Sequence, residues 1–309
     1  MTDILALGAE CGGCGTAVYA HPVRRQGELD MASKGYLTQM RGFTLIEISI
    51  VLVVIGLLLS GGLVALGPVI QNAKRTQTEN TLTKIEDALL LYAIQNSCLP
   101  CPADATTPAT EGIQANAAGT AITAACVGGA AACFTGADAV VPWQTLGLSR
   151  SDAIDEWGTL ITYHLSTDAN SQGAAPSTCD DFHEPTAFAD TGGFRRTGTT
   201  FPQGCLNVET QETGAFTTIT AQAAYVLISH GPDTSGGFSE NGAARTNPRS
   251  PGNTSQEENN AGNCDNTGAE CHQGDPIDVE GNTYFDDLVR WKTGSVLVFQ
   301  CGDGACGNP

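Results

Sequence analysis

The chain has 309 residues, a formal net charge of −19 and only 14 Lys and Arg. That length allows one or two domains with a sizeable core, and the acidic balance argues against the basic face that a nucleic-acid partner needs. There are 12 cysteines, two before Met40 and ten after it. Spread through Gly-rich stretches, they read as a disulfide framework made in an oxidising compartment.

The first predicted element is a helix in "MRGFTLIEISIVLVVIGLLLSGGLVALGP". Ile48 to Gly67 is a run of 20 residues without charge. As a helix it would span about 30 Å, the thickness of a bilayer's hydrocarbon core. A secretory signal peptide has a shorter apolar region, about 7–15 residues, and ends at a small-residue cleavage site. Here an amphipathic pattern follows instead. A plain single-span anchor fits the length but leaves Glu47 unexplained, because an acid inside a membrane helix costs about 3 kcal/mol and calls for a partner.

"RGFTLIEISIVLVVIGLLL" resembles the N-terminus of type IV pilins and of the pseudopilins of type II secretion systems. Gly42, Phe43 and Glu47 carry the resemblance. It implies that a membrane-embedded prepilin peptidase cuts between Gly42 and Phe43 on the cytoplasmic side. It also implies that the peptidase/methyltransferase then N-methylates Phe43. Glu47 would face the new ammonium of a neighbouring subunit, a pairing that is strong in low dielectric and costly when broken, and would set the register of assembly. Arg41 and Lys34 suit a positive-inside flank. The leader departs from the family pattern, since Met1 to Gly42 is long and contains "CGGCG". "MASKGYLTQMRG" from Met31 would be a family-like leader, so residues 1–30 read as an over-extended frame, with Met31 or Met40 as the start. The alternative is a zinc or redox role for Cys11 and Cys14, which rests on half a zinc site.

Pro68 predicts a bend in the helix rather than a stop. From Val69 to about Asn96 the pattern is amphipathic: Leu82, Ile85, Leu89 and Tyr92 recur at helical spacing. Lys74, Arg75, Glu79, Lys84, Glu86 and Asp87 supply the polar side. "SCLPCPAD" ends the helix, because Pro100 and Pro102 cannot continue it. Cys98 and Cys101 form a CxxC that reads as a structural disulfide at the helix exit rather than a redox pair, which would open a helix after a strand. The other cysteines fall into couples: Cys126 with Cys133, Cys179 with Cys205, Cys264 with Cys271 and Cys301 with Cys306. Pairing within each couple is the simplest assignment, and the sequence leaves connectivity open.

Beyond the helix, Trp157-Gly158 marks a turn into a strand at Leu160–Leu165. Ala223–Ser229 and Ser295–Gln300 are further strands by their β-branched and aromatic content. The fold class is therefore α+β: a long N-terminal helix packed on an antiparallel sheet, with long disulfide-bonded loops. "DEWG" before a strand and the later "SHGPDTSGGFSENG" resemble the heads of major pseudopilins, and "FDDLVRW" resembles the C-terminal part of pilin-like minor subunits. In major pseudopilins the comparable loop holds calcium. Asp233, Ser235 and Glu240 are the candidate ligands here, although their spacing is not that of an EF-hand. Pro232 and the glycines make a turn on the alternative reading. His230 reads as a strand-end residue, since no second histidine stands at metal spacing and no nucleophile elbow occurs. Arg245–Cys271 reads as a long surface loop.

The expected organisation is a leader (1–42), a membrane or filament-core helix (43–68), an amphipathic helix (69–97) and a periplasmic or extracellular head (98–309). The expected function is structural, not enzymatic: a minor pilin or type II secretion pseudopilin. It would sit once across the inner membrane with its N-terminus in the cytoplasm, and its partners would be the peptidase and other pilin-like subunits. The alternative is an adhesin or substrate-binding head that the helix merely anchors.

Overall fold

The computed structural model describes residues 42–64, 66–107, 111–126, 133–134, 136, 138–166, 182–183, 203–212, 215–245, 271–272 and 285–301. The chain divides into two compact units, Met1–Leu58 and Leu59–Pro309. The first contains the start of helix α1 (Leu45–Val64). Side chains in α1 are described from Leu45 to Leu58, and every large apolar one is exposed. A helix that is apolar on all sides has no polar face to give to water. Among the described residues, no helix is long and apolar enough to cross a membrane.

The second unit is built on helix α2 (Leu66–Asn96). Pro68 lies within helical residues 66–96 rather than ending the helix. Ser97 closes the helix with φ of 63°, and the prolines at 100 and 102 keep the chain out of it. Leu82, Ile85, Leu89, Tyr92 and Ala93 are buried, as the sequence spacing predicts. Glu86 departs from the polar side assigned to it. Its Oε1 lies 3.9 Å from Lys292 Nζ and accepts the Tyr225 hydroxyl at 3.5 Å. Burial pushes its carboxyl up, with Lys292 opposing.

The strands are β1 (Ala103–Asp104), β2 (Ala139–Val140), β3 (Thr159–Leu160), β4 (Thr162–Leu165), β5 (Leu206–Glu212), β6 (Ala215–Ser229), β7 (Phe238–Ser239), β8 (Cys271–His272) and β9 (Leu288–Thr293). The main sheet runs β1-β2-β4-β6-β5-β8, and β9 also pairs with β6. All its pairs are antiparallel except β5 with β8. β3 and β7 form a separate antiparallel pair. Strand alternation sorts β6 onto two faces. Tyr225 and Leu227 join the cluster that includes the α2 residues, while Val226 and Ile228 join a second cluster with Leu206, Val208 and Val289; an irregularity between Ala223 and Tyr225 shifts the phase, so that Ala223 belongs to the second cluster and Ala224 to the first.

Two expectations fail. Ser295–Gln300 is not a strand but most of helix α3 (Gly294–Cys301). Thr293 Oγ1 accepts the Val296 N–H at 3.4 Å and so caps the start of that helix, while Leu297, Val298 and Cys301 turn inward on one side. A short apolar run cannot be assigned by periodicity alone, and burial of one helical face decides here. The cysteine couples also fail where the structure tests them. Cys98 bonds Cys126 and Cys101 bonds Cys133. Strand pairing explains why: β1 lies beside β2, which brings the chain around Cys133 back to the helix exit. Cys205, Cys271 and Cys301 are each disulfide-bonded, while Cys179, Cys264 and Cys306 lie outside the described residues.

Candidate assembly site at the start of the first helix

Thr44 immediately precedes α1, and Glu47 is the third residue of the helix. Glu47 Oε2 accepts hydrogen bonds from Thr44 N at 2.9 Å and Thr44 Oγ1 at 3.0 Å. In return, Glu47 N donates to Thr44 Oγ1 at 3.3 Å. This reciprocal exchange satisfies two orphan donors at a helix start, and it sets a carboxylate at the positive end of the helix dipole. The acid thus has a partner within its own chain. Phe43, just outside the helix, is 81% exposed, and among the described residues nothing beyond the chain neighbours lies within 4 Å of where a side chain would stand on Gly42. A long apolar surface begins directly beyond the Gly42–Phe43 bond.

Residues 38–63 match the description "Prokaryotic N-terminal methylation motif". The chain carries a prepilin-type N-terminal methylation motif. The motif takes in Gly42, Phe43 and Glu47, and it agrees with the type IV pilin-like and pseudopilin family. No curated protein and no solved structure matches the chain.

Downstream of the methylation motif, the head residues singled out in the sequence go to separate places. Asp233 Oδ1 accepts the Ser235 N–H at 2.8 Å, and Asp233 N donates to Asp286 Oδ2 at 3.1 Å. Glu240 belongs to a different group, because its carboxylate lies 4.0 Å from Arg150 Nε and its carbonyl takes a bond from the same guanidinium. Asp233 and Ser235 alone fall short of the six to eight oxygens that calcium takes. Among the described residues, no group of three or more His, Cys, Asp or Glu is placed to hold a metal ion.

His230 directly follows β6, as expected of a strand-end residue, and is 1% exposed. Its Nε2 lies 2.8 Å from Thr162 Oγ1, and its Nδ1 lies 4.0 Å from Asp287 Oδ1. Burial, reinforced by His164, pulls its pKa down to about 4. It is a neutral imidazole tying β4 to the end of β6.

Two partnerships have roles that the sequence reading did not assign. Thr44 is one, and its signal is the Thr-x-x-Glu spacing. Arg150 is the other. It pairs with Glu111 at 2.5 Å, lies 5.9 Å from the Trp143 ring centroid and reaches Glu240. It thereby clasps three loops of the head, and no local pattern marks a residue whose partners lie so far apart in sequence.

Proposed function

We propose that the chain is a pilin-like structural subunit, either a minor pilin or a type II secretion pseudopilin. Cleavage between Gly42 and Phe43 frees an amino group on Phe43, which is then methylated. The helix that follows anchors the subunit in the inner membrane, with the head on the periplasmic side, and later packs into a pilus or pseudopilus. The observation that carries this reading is the coincidence of the methylation motif with a helix start whose large apolar side chains are all exposed. Such a surface is stable only in lipid or against other helices.

Glu47 has two successive roles on this reading. In the lone subunit its charge is held by Thr44. In the assembly it meets the Phe43 ammonium of a neighbour, where low dielectric makes the attraction strong and a mismatch costly. The role is structural and requires no catalytic group of this chain. The peptidase and other pilin-like subunits are its partners.

The test is the N-terminal residue and intact mass of the protein made with and without an active prepilin peptidase. A mature chain beginning at Phe43 with one added methyl group, seen only with the peptidase, is the expected result. An uncut chain, or one cut beyond the apolar run, would remove filament assembly and leave an anchored or secreted head.

A further inference from the structure

Helix α2 starts beside a turn of the head. Trp157 Nε1 donates to Gln71 Oε1 at 3.2 Å, and Glu156 N donates to Thr78 Oγ1 at 3.3 Å. Gln71, Lys74, Arg75 and Thr78 share one face of α2, because residues three and four apart are neighbours on a helix. The turn around Trp157 therefore lies along that face, with Trp157 at the end nearer the apolar run. Part of the Trp157 ring packs on the core, and the rest stays open to the surroundings.

Depth along the helix gives this face a meaning. Gln71 stands four residues beyond Gly67, the end of the apolar run, which is about 6 Å along the axis. Lys74 and Arg75 follow at about 10–12 Å. The headgroup layer beyond a bilayer's hydrocarbon core is about 5–8 Å thick. With Gly67 at the edge of the hydrocarbon, Trp157 falls within that layer. The long stems of Lys74 and Arg75 reach back to it. Val69 and Ile70 are 62% and 53% exposed and carry the apolar surface to the same depth.

Charge agrees with depth. Lys84, Arg150 and Lys292 each lie against an acid. Lys74 and Arg75 form no ion pair among the described residues, and Glu156 on the facing turn pairs with neither. No Asp or Glu occurs between Glu47 and Glu79. In a chain with a net charge of −19, two adjacent unpaired cations suit an anion from outside the chain. Lipid headgroups attract Lys and Arg near the surface, and Trp settles at the same level because its ring is apolar and its N–H polar.

We propose that Trp157, Lys74 and Arg75 form a collar by which the head rests on the lipid surface, with the indole among the headgroups and the two cations on lipid phosphates. The collar rests on the membrane anchor of the pilin-like reading and assigns a lipid contact to the head itself.

Tryptophan emission of the full chain in vesicles of phosphatidylcholine and phosphatidylglycerol tests it, with and without a lipid carrying a nitroxide on its headgroup. The nitroxide lipid is expected to quench the wild-type chain. Trp157→Phe is expected to lose most of that quenching, although Trp143 and Trp291 still emit. The double variant Lys74→Gln/Arg75→Gln keeps Trp157 and is expected to be quenched less, which tests the collar should Trp157→Phe misfold. Equal quenching in the wild type and Trp157→Phe overturns the proposal. Unchanged quenching in the double variant also overturns it, by leaving the cations no part. Sedimentation with the vesicles separates the two readings. A chain that sediments with lipid but shows no quenching of Trp157 loses the collar alone, whereas a chain that stays in solution loses the anchor and the collar together.

Discussion

Asp155 and Ser229 meet at 2.7 Å, carboxylate to hydroxyl, and so join the turn before β3 to the end of β6. Asp155 also accepts the N–H groups of Trp157 at 3.0 Å and Thr159 at 2.9 Å, and it is only 5% exposed. One carboxylate thus holds three donors, two of them in its own turn. Asp155→Ala would leave these donors without their acceptor. The expected loss is about 2–4 kcal/mol of head stability, read as a lower urea midpoint. An unchanged midpoint would make the knot ornamental.

The buried histidine ties stability to acid. His230 has its pKa lowered from 6.5 to about 4 by burial, with His164 adding to the effect. The unfolded chain therefore takes up the proton first as pH falls. The stability that His230 contributes is complete above pH 6.5 and is lost as pH falls towards 4. In His230→Gln the stability–pH curve should be flatter across that window than in the parent. Parallel curves would mean that other groups set the acid response.

The Cys98–Cys126 bond closes a separation of 28 residues. A cross-link of that span contributes about 3 kcal/mol by restricting the unfolded chain. Cys126→Ser should cost about that much in a urea titration under non-reducing conditions. The Cys101–Cys133 bond closes an overlapping loop of separation 32. Each bond, while present, shortens the loop that the other closes, so removing both should cost more than the sum of the single losses.

The two roles proposed for Glu47 on the pilin-like reading should come apart by mutation. Thr44→Val removes the hydroxyl of the cap and should weaken the helix start by about 1 kcal/mol, while subunits still enter filaments. Glu47→Gln keeps the shape but removes the charge, and incorporation should fall sharply even though processing continues. Filament fractions and N-terminal sequencing of both variants give the comparison. Equal incorporation defects would show that the carboxylate acts through its own helix alone.

Much of this was legible from local patterns. The spacing of Leu82, Ile85, Leu89 and Tyr92 located the buried face of α2, because helical period and burial follow one another directly. β-branched content located β4 and the inner half of β6. The motif around Gly42, Phe43 and Glu47 is contiguous and therefore readable. What failed depended on the third dimension. Ser295–Gln300 has strand composition, yet one face of it is buried as a helix. Disulfide partners are chosen by how β1 and β2 fold back, not by closeness in sequence. The capping role of Thr44 was present as a spacing, but the membrane cost of Glu47 pointed the search for a partner outward. Asp233 and Glu240 stand near each other in sequence, but Arg150 draws Glu240 into a different group.

The two staples at the exit of α2 interleave, since Cys98 and Cys101 both precede Cys126 and Cys133. In the proposed topology, with the N-terminus in the cytoplasm, the head crosses from the first helix outward, so Cys98 and Cys101 emerge together before either native partner. An oxidase acting on thiols in order of appearance would join those two and trap the head in the wrong topology. On the proposed topology, maturation calls for an isomerase that reshuffles bonds by thiolate exchange, and a host with an oxidase but no isomerase should accumulate a mispaired, protease-sensitive head.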